Sequence, residues 1–361
     1  MINNPTEYWY RKNSPNIYGA IWDGTERTDW TRTDKAANFE DPIPAVNNGD
    51  GSSPFDNLYP WRGMTVVDDV TAGKLVMIPK YWYKWTRSGI TMKLQISDRP
   101  ADGFFVSPAH ADRGDGNGER NVVYVGRYHC NSIYKSRAGS LPIGNITRDT
   151  ARTNIHNLGS TYWQYDFAMY WTIMMLYLVE YANWNSQEVI GYGNSSINRK
   201  VNSGATDAMI YHTGTSAESR TSFGCVQYRH IEGLWDNVYD YCDGIYFYDS
   251  NVYCIKNPEN FSDTENGTLV GMRDTSGGYI SAWSNPTSGG FEYALFPSEF
   301  DGTDTTYVCD YFFTHSSGQV LFVGGGYLNF QSSYQGAFCM SSAYNASNPN
   351  SDSGCRLMKL P

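Results

Sequence analysis

The side chains best able to do chemistry in this 361-residue chain are its six histidines and seven cysteines. They are His110, His129, His156, His212, His230 and His315, and Cys130, Cys225, Cys242, Cys254, Cys309, Cys339 and Cys355. No histidines have the H-E-x-x-H spacing of a zinc site, and neither a G-x-S-x-G elbow nor a Walker loop occurs. No cysteines form a C-x-x-C pair, and their odd number does not fit a complete disulfide framework. The sequence therefore predicts no catalytic residue, metal ligand or cofactor. The cysteines are predicted to be buried free thiols.

Non-covalent binding is indicated instead near the end of the chain, in Tyr327–Asn350, which we call the uncharged segment. Tyr, Asn, Ser or Gln occupies 14 of its 24 positions, and no charged residue occurs from Tyr311 through Ser351. Tyrosine offers rigid amphipathic contact area, and serine and asparagine add hydrogen bonds at little entropic cost. A solvated loop usually carries charged residues for solubility, so this composition favours a contact face. The predicted contact residues are Tyr327, Asn329, Gln331, Ser332, Ser333, Tyr334, Gln335, Ser341, Ser342, Tyr344, Asn345, Asn348 and Asn350.

The composition excludes several classes of protein. Hydrophobic residues make up 40% and aromatic residues 16% of the chain, which argues against disorder. The formal net charge is -10 and the lysines and arginines are scattered, so no nucleic-acid partner is expected. The N-terminus lacks the apolar core of a secretory signal. The longest strongly apolar run, Ile173–Val179, is far shorter than the roughly 20 residues that span a bilayer.

The residue pattern predicts an α+β fold that positions this segment. Short runs rich in β-branched and aromatic residues, such as 74–85, 89–97 and 122–130, are typical of strands, and further candidates follow Cys254. One long helix is predicted in 162–187, where apolar residues recur at spacings of three and four. A second, short helix is predicted in 231–244, and the acidic, glycine-rich 111–120 is predicted to be a solvated loop.

The domain organisation follows from a change in composition. Residues 1–60 are rich in Asn, Asp, Thr, Pro and Gly and are predicted to form an arm with little regular structure. Residues 61–361 are predicted to form one ligand-binding domain. Gly324–Gly326 permit tight backbone geometry before the uncharged segment, and Ala337 and Phe338 are predicted to return the chain to the core within it.

Three sets of residues carry a resemblance to a known family. The segment 229–247 resembles the G-x-x-G/D-N-V-x-E/D-W stretch of the formylglycine-generating-enzyme type of C-type lectin fold. The matching positions are Gly233, Leu234, Trp235, Asn237, Val238, Tyr239 and Asp240. Gly325, Gly326, Gly354 and Arg356 match the G-G-x-W … G-F-R pattern of its final hairpins. The upstream stretches 77–85, 103–110, 123–130 and 176–187 resemble bacteriophage tail proteins that carry this domain at the C-terminus.

The resemblance implies a C-type lectin-like fold and a non-enzymatic, receptor-binding function. In several such tail proteins the last segment is the variable region of a diversity-generating retroelement, which would here be 324–361. The implied partners are a host cell-surface protein or glycan and, through the N-terminal arm, the phage particle, with a homotrimer as one possible assembly. The implied location is the virion tail or extracellular surface. Trp235, Asn237 and Arg356 are expected to be structural, with Asn237 bonding neighbouring backbone and Arg356 pairing with an interior acid.

Two other functions fit parts of the same pattern. A formylglycine-generating-like oxidase would need a copper-binding cysteine pair, and only Cys339 lies in the corresponding region, followed by Ser341 and Ser342. A calcium-dependent glycan-binding lectin would use W-N-D and E-P-N motifs, of which the chain has W-D-N at Trp235 and N-P-N at Asn348. Calcium prefers several oxygen ligands including carboxylates, and the uncharged segment has none.

Overall fold

The computed structural model describes residues 14–264, 266–284, 286, 289–328 and 332–361. Over these residues the chain forms six β-sheets and three α-helices, with far more strand than helix. The predicted α+β class is therefore confirmed. Strands and helices are numbered below in chain order.

The first two sheets are antiparallel and have five strands each. The first has the order β2-β1-β7-β6-β8, with β1 Ile17–Trp22, β2 Thr31–Asp34, β6 Trp82–Ser88, β7 Thr91–Ser97 and β8 Phe105–Val106. The second has the order β10-β25-β9-β5-β4, with β4 Thr65–Asp69, β5 Gly73–Pro79, β9 Val122–Gly126, β10 Tyr162–Gln164 and β25 Leu357–Lys359. The strands predicted in 74–97 and 122–130 are thus present, and the last strand of the chain pairs between β10 and β9.

Four smaller or mixed sheets complete the fold. One four-stranded sheet, β13-β12-β11-β3, contains β3 Ala45–Val46, β11 Gly214–Thr215, β12 Val226–Tyr228 and β13 Ile231–Glu232. The six-stranded sheet, β18-β21-β23-β22-β14-β24, contains β14 Tyr239–Cys242, β18 Gly278–Tyr279, β21 Tyr311–Thr314, β22 Leu321–Val323, β23 Met340–Ser342 and β24 Ser353–Gly354. A three-stranded sheet contains β15 Ile245–Tyr248, β16 Asn251–Cys254 and β17 Thr268–Met272, and a two-stranded one β19 Ala282–Ser284 and β20 Phe296–Glu299.

The long predicted helix is present as α2, Phe167–Tyr181, and all of its side chains are buried. The Asp166 side chain accepts a hydrogen bond from the Met169 amide and caps the start, and Ala182, with φ 50°, ends the helix in a left-handed conformation. It is shorter than the predicted 162–187 because β10 precedes the Asp166 cap. A helix that is apolar on all sides is typical of a central core element rather than of a surface helix.

The second predicted helix, in 231–244, is wrong. This stretch forms β13 and β14, joined by turns. Gly233 and Asn237 have φ of 75° and 68°, values that a right-handed helix cannot contain. The described residues contain two other α-helices. Helix α1, Arg148–His156, was not predicted, and α3, Ser186–Val189, begins within the last two residues of the predicted 162–187; Thr147 and Asn185 cap them.

From Ile17 onward, residues of the arm predicted over 1–60 have little regular structure apart from β1, β2 and β3, as expected, but they do not form an arm separate from the domain. Strand β1 pairs with β2 on one side and with β7 on the other, so it lies inside the first sheet. Trp22, Trp30 and Phe55 are buried in the same core cluster as helix α2. Residues 1–13 of the predicted arm lie outside the described residues. Residue 60 is therefore not a domain boundary in the described structure, because the core is continuous across it.

All seven cysteines are buried and unpaired, as predicted. Residues 111–120 form a loop, also as predicted. Within the described residues, no helix combines the length and apolarity that crossing a membrane requires.

Candidate functional site

The six-stranded sheet has one face turned to the main core and one turned away from it. Phe312 of β21 pairs with Met340 of β23, and both side chains are buried in the main core. Successive residues of a strand point to opposite faces. Phe313, its partner Ser341 and the Phe322 that pairs with Ser341 therefore share the other face, which we call the outward face. Phe322 is buried there in a second hydrophobic core cluster, and Phe313 is partly buried against that cluster.

Four aromatic rings meet at the β21 end of this outward face. The ring centroid of Tyr334 lies 5.6 Å from that of Tyr279, 4.8 Å from that of Tyr311 and 5.8 Å from that of Phe313. Tyr279 and Tyr311 are edge to face at 5.2 Å, and the Tyr279 hydroxyl lies 3.4 Å from Ser333 Oγ. All five side chains are only partly buried. We call Tyr279, Tyr311, Phe313, Ser333 and Tyr334 the tyrosine surface.

The backbone after Tyr334 is anchored from the interior. Gln335 is fully buried and donates from Nε2 to the Gly326 carbonyl at 3.0 Å. The Ala337 amide donates to Ser186 Oγ at 2.9 Å, and the Phe338 amide donates to Asp310 Oδ2 at 2.7 Å. The return of Ala337 and Phe338 to the core is thus confirmed, since both are fully buried. Tyr334 is consequently carried by a loop whose position is fixed in the core, whereas Tyr279, Tyr311 and Phe313 belong to strands β18 and β21.

Two glycines allow these anchors to approach the backbone closely. A Cβ on Gly336 would lie 2.2 Å from Asp310 Oδ1, and one on Gly325 would lie 2.0 Å from Gln335 Oε1. Such distances are shorter than any tolerable contact, so a side chain at either position would displace its anchor. Burial raises the pKa of Asp310 well above its usual value, although the backbone amides of Phe338 and Cys339 act in the opposite direction.

A cavity of about 450 Å³ opens beside the tyrosine surface, at Ser333. It is lined by Asn185, Gln187, Glu188, Tyr192, Arg220, Thr221, Asp304, Thr305, Cys309 and Ser333. Glu188, Asp304 and Arg220 are exposed and bring both signs of charge to its wall. The cavity can therefore receive a polar group of a ligand that lies on the uncharged rings.

Tyr344 extends the outward face beyond the tyrosine surface. Its ring packs edge to face on Phe322 at 5.6 Å and is 39% exposed. Phe322 and Phe313 lie on the same face of β22 and β21, two strands apart, which is about 10 Å at the usual strand spacing. Tyr334 and Tyr344 are thereby brought to one surface.

The other predicted contact residues differ in how far they are exposed. Tyr327, Asn345 and Asn350 are partly buried and Asn348 is exposed. The Tyr327 hydroxyl lies 3.4 Å from the Ser351 carbonyl. Asn329 and Gln331 lie outside the described residues, as does the side chain of Ser332, whose backbone belongs to the short 3-10 helix Ser332–Tyr334.

Three predicted contact residues are interior, and their assignment to an exposed face is corrected. Gln335, Ser341 and Ser342 are 0%, 4% and 0% exposed. Ser342 Oγ donates to Thr314 Oγ1 at 3.0 Å and accepts from Arg273 Nη1 at 2.9 Å. Their polar groups serve internal hydrogen bonds, which composition alone does not distinguish from contacts with a ligand.

The three residues expected to be structural all hold parts of the scaffold. Trp235 Nε1 donates to the Gly191 carbonyl at 3.0 Å. The Asn237 amide bonds both backbone groups of Val201, accepting from its N–H at 3.0 Å and donating to its carbonyl at 2.8 Å.

Arg356 forms the expected interior pair. Its Nε donates to Asp240 Oδ2 at 2.8 Å, and both residues are buried. Burial raises the pKa of Asp240 to about 6, although the adjacent guanidinium lowers it. The Arg356 guanidinium also donates to the carbonyls of Gly126, Arg127, Glu232 and Gly233, so it joins β9 to the 231–244 stretch.

Tyr279, Tyr311 and Phe313 were missed by the sequence analysis. Tyr311 and Phe313 already stand at alternating positions within an uncharged stretch, so the period of a strand with one half-exposed face was visible there. Tyr279 carries no such signal, because its strand β18 has only two residues and pairs with β21, which is distant in the sequence.

The buried thiols offer little reactivity. Cys339 is fully buried near the Tyr239 hydroxyl, at 3.7 Å, and burial raises the pKa of its thiol well above its usual value. A thiol in such surroundings stays protonated and is a poor nucleophile or metal ligand. Over the described residues, no three His, Cys, Asp or Glu side chains are grouped so as to hold a metal ion.

Comparison with known proteins does not assign the chain to a family. No protein-family model matches its sequence, and no curated protein matches it.

Proposed function

We propose that the chain is a non-enzymatic receptor-binding protein, the adhesin of a bacteriophage tail, built on a C-type lectin-like fold of the formylglycine-generating type. The observation that carries this proposal is the tyrosine surface together with Tyr344. Uncharged, half-exposed rings stand on one sheet face, while the backbone between them is anchored in the core.

This arrangement suits recognition of a macromolecular surface. Tyrosine supplies a large contact area with few rotatable bonds and a hydroxyl for specificity, so little conformational entropy is lost on binding. The anchors Gln335, Ala337 and Phe338 hold the loop independently of its exposed side chains. Substitutions at the exposed positions can therefore change the ligand without dismantling the support, which is what a diversified variable region over 324–361 requires.

The proposed partner is a protein or glycan on the surface of the host cell. Attachment to the particle through the N-terminal residues, and display as a trimer, would multiply a weak affinity at each site, because linked sites bind with a high effective concentration. The interior position of Cys339 counts against the copper-oxidase alternative.

Cell binding by single-tyrosine variants tests this proposal. Tyr334→Ala and Tyr344→Ala should each weaken attachment of the labelled protein to intact cells of a bacterial panel by about 30-fold or more, the effect of losing a binding hot spot of at least about 2 kcal/mol. The matched control is Tyr248→Ala, because Tyr248 is 46% exposed in the separate three-stranded sheet and Tyr344 is 39% exposed. Flow cytometry gives the attachment and circular dichroism the folded state. Folded variants that attach as strongly as the unsubstituted protein would refute the proposal.

A further inference from the structure

A second cavity lies away from the tyrosine surface, between β6, β8 and the loops that follow β8 and β16. Its volume is about 220 Å³. It is lined by Tyr83, Phe105, Val106, Pro108, Ala111, Arg113, Glu119, Lys256, Gly290, Glu292 and Tyr293, none of which belongs to the tyrosine surface. Pockets for drug-sized ligands usually measure about 300–1,000 Å³, so this one suits a smaller molecule.

The walls of the cavity are aromatic. The rings of Tyr83 and Phe105 are tilted against each other with centroids 6.0 Å apart, and Tyr293 contributes a third ring. Tyr83 and Tyr293 are 2% and 8% exposed, whereas Phe105 at the mouth is 51% exposed. A ring-shaped ligand can thus lie against aromatic carbon.

Two hydroxyl groups at the cavity have no partner in the protein. Over the described residues, neither the Tyr83 nor the Tyr293 hydroxyl makes a hydrogen bond within the protein. Burial raises the pKa of both hydroxyls, so they remain protonated and can donate as well as accept. Neither hydroxyl is among the buried atoms that lack access to solvent, so both can be reached from the cavity. Arg113 is held behind them, donating from Nε to the Lys256 carbonyl at 2.6 Å and from Nη2 to Asp166 Oδ2 at 2.5 Å. Hydroxyls that open into a cavity without a partner in the protein can hydrogen-bond to a ligand there.

The charges at the cavity balance and do not select an ion. Arg113 is neutralised by Asp166 and Glu119 by Lys80, at 3.5 Å, which leaves Glu292 opposite Lys256. A neutral ligand with several hydroxyls matches this combination of aromatic faces, donors and acceptors better than a carboxylate or an ammonium group does.

We infer that this cavity binds a single neutral sugar residue, stacked on the exposed ring of Phe105 and hydrogen-bonded to the hydroxyls of Tyr83 and Tyr293. The sugar is either free or the terminal residue of a glycan. This site is separate from the proposed receptor face, so Tyr334→Ala should leave sugar binding unchanged.

Ligand-observed NMR with the full chain tests the inference. The probes are a panel of neutral monosaccharides and their methyl glycosides at millimolar concentration, since a methyl glycoside mimics a chain-terminal residue and a free sugar does not. At least one sugar should bind. Tyr83→Phe should weaken it by about 2- to 12-fold, the effect of one neutral hydrogen bond, without loss of folding, because the hydroxyl has no partner in the protein.

A matched pair of phenylalanine variants tests the site without changing the buried Tyr83. Phe105→Ala should weaken sugar binding by about tenfold through loss of stacking. Phe223→Ala, which is also 51% exposed but lies outside the cavity, should not change it. The inference is overturned if no sugar of the panel binds, if free amino acids bind there instead, or if both phenylalanine variants bind the sugar equally.

Discussion

Ser342 and Ser333 belong to the same uncharged segment, yet the structure gives them opposite roles. Ser342 is fully buried, and its Oγ is one of the acceptors around the Arg273 guanidinium. Arg273 is buried with no carboxylate partner among the described residues; it donates to the carbonyls of Asp249, Ser316 and Ser342 and to this hydroxyl. Burial lowers its pKa to about 10, although the nearby charge of Asp249 acts in the opposite direction.

Ser342→Ala should therefore destabilise the protein. It removes a charge-assisted hydrogen bond of 2.9 Å and a second bond to Thr314 at 3.0 Å. A hydrogen bond to a charged group contributes about 1.5–3 kcal/mol, so we expect the free energy of unfolding to fall by about 2–3 kcal/mol. Urea denaturation followed by fluorescence measures this change.

Ser333→Ala is the matched control for this prediction. Ser333 lies on the tyrosine surface and makes a weak contact of 3.4 Å with the Tyr279 hydroxyl, so its loss should lower stability by less than about 0.5 kcal/mol. Cell attachment should show the opposite pattern. Ser333→Ala should weaken it, and folded Ser342→Ala should leave it unchanged. An unchanged stability together with lost attachment in Ser342→Ala would show that the interior assignment of Ser342 is mistaken.

Two further predictions concern buried charges. Burial raises the pKa of Asp236 to about 7, so the stability linked to its protonation is fully present below about pH 4 and is lost as the pH rises through 7. Asp236→Asn removes this dependence, so its free energy of unfolding relative to that of the unsubstituted protein should rise by about 4 kcal/mol between pH 4 and pH 8. Urea denaturation at a series of pH values measures this difference, and parallel curves of stability against pH for the two proteins would contradict the prediction. Arg356→Met leaves Asp240 buried without its cation and should lower the free energy of unfolding at pH 7 by about 3–5 kcal/mol, and a calorimetric Tm unchanged from the parent protein would disprove this.

The sequence predicted the long strands and the central helix because their signals are local. The β-branched and aromatic residues of β6 and β7 and the recurring apolar residues of α2 are visible within a dozen residues. The predicted helix in 231–244 is wrong for the opposite reason. Its apolar spacing looked helical, but Gly233 and Asn237 adopt left-handed conformations that depend on contacts with the rest of the fold.

The sequence predicted the composition of the candidate site but not which of its residues are buried. The uncharged segment does supply Ser333, Tyr334 and Tyr344 to one face, and it also supplies Ser342 and Gln335 to the interior. Amino-acid type does not separate these groups, because serine and glutamine can satisfy a buried arginine or carbonyl as readily as a ligand. The missing Tyr279 shows the other limit, since long-range strand pairing brings it to the site.

The position of β25 has a consequence for biosynthesis. This strand fills the gap between β9 and β10, which are made much earlier, so the second sheet cannot close until β25 has been synthesised. Contacts between such distant parts of a chain form slowly, and unpaired strand edges are prone to associate with other chains in the meantime. Synthesis of β25 thus becomes the step that commits the protein to its native state.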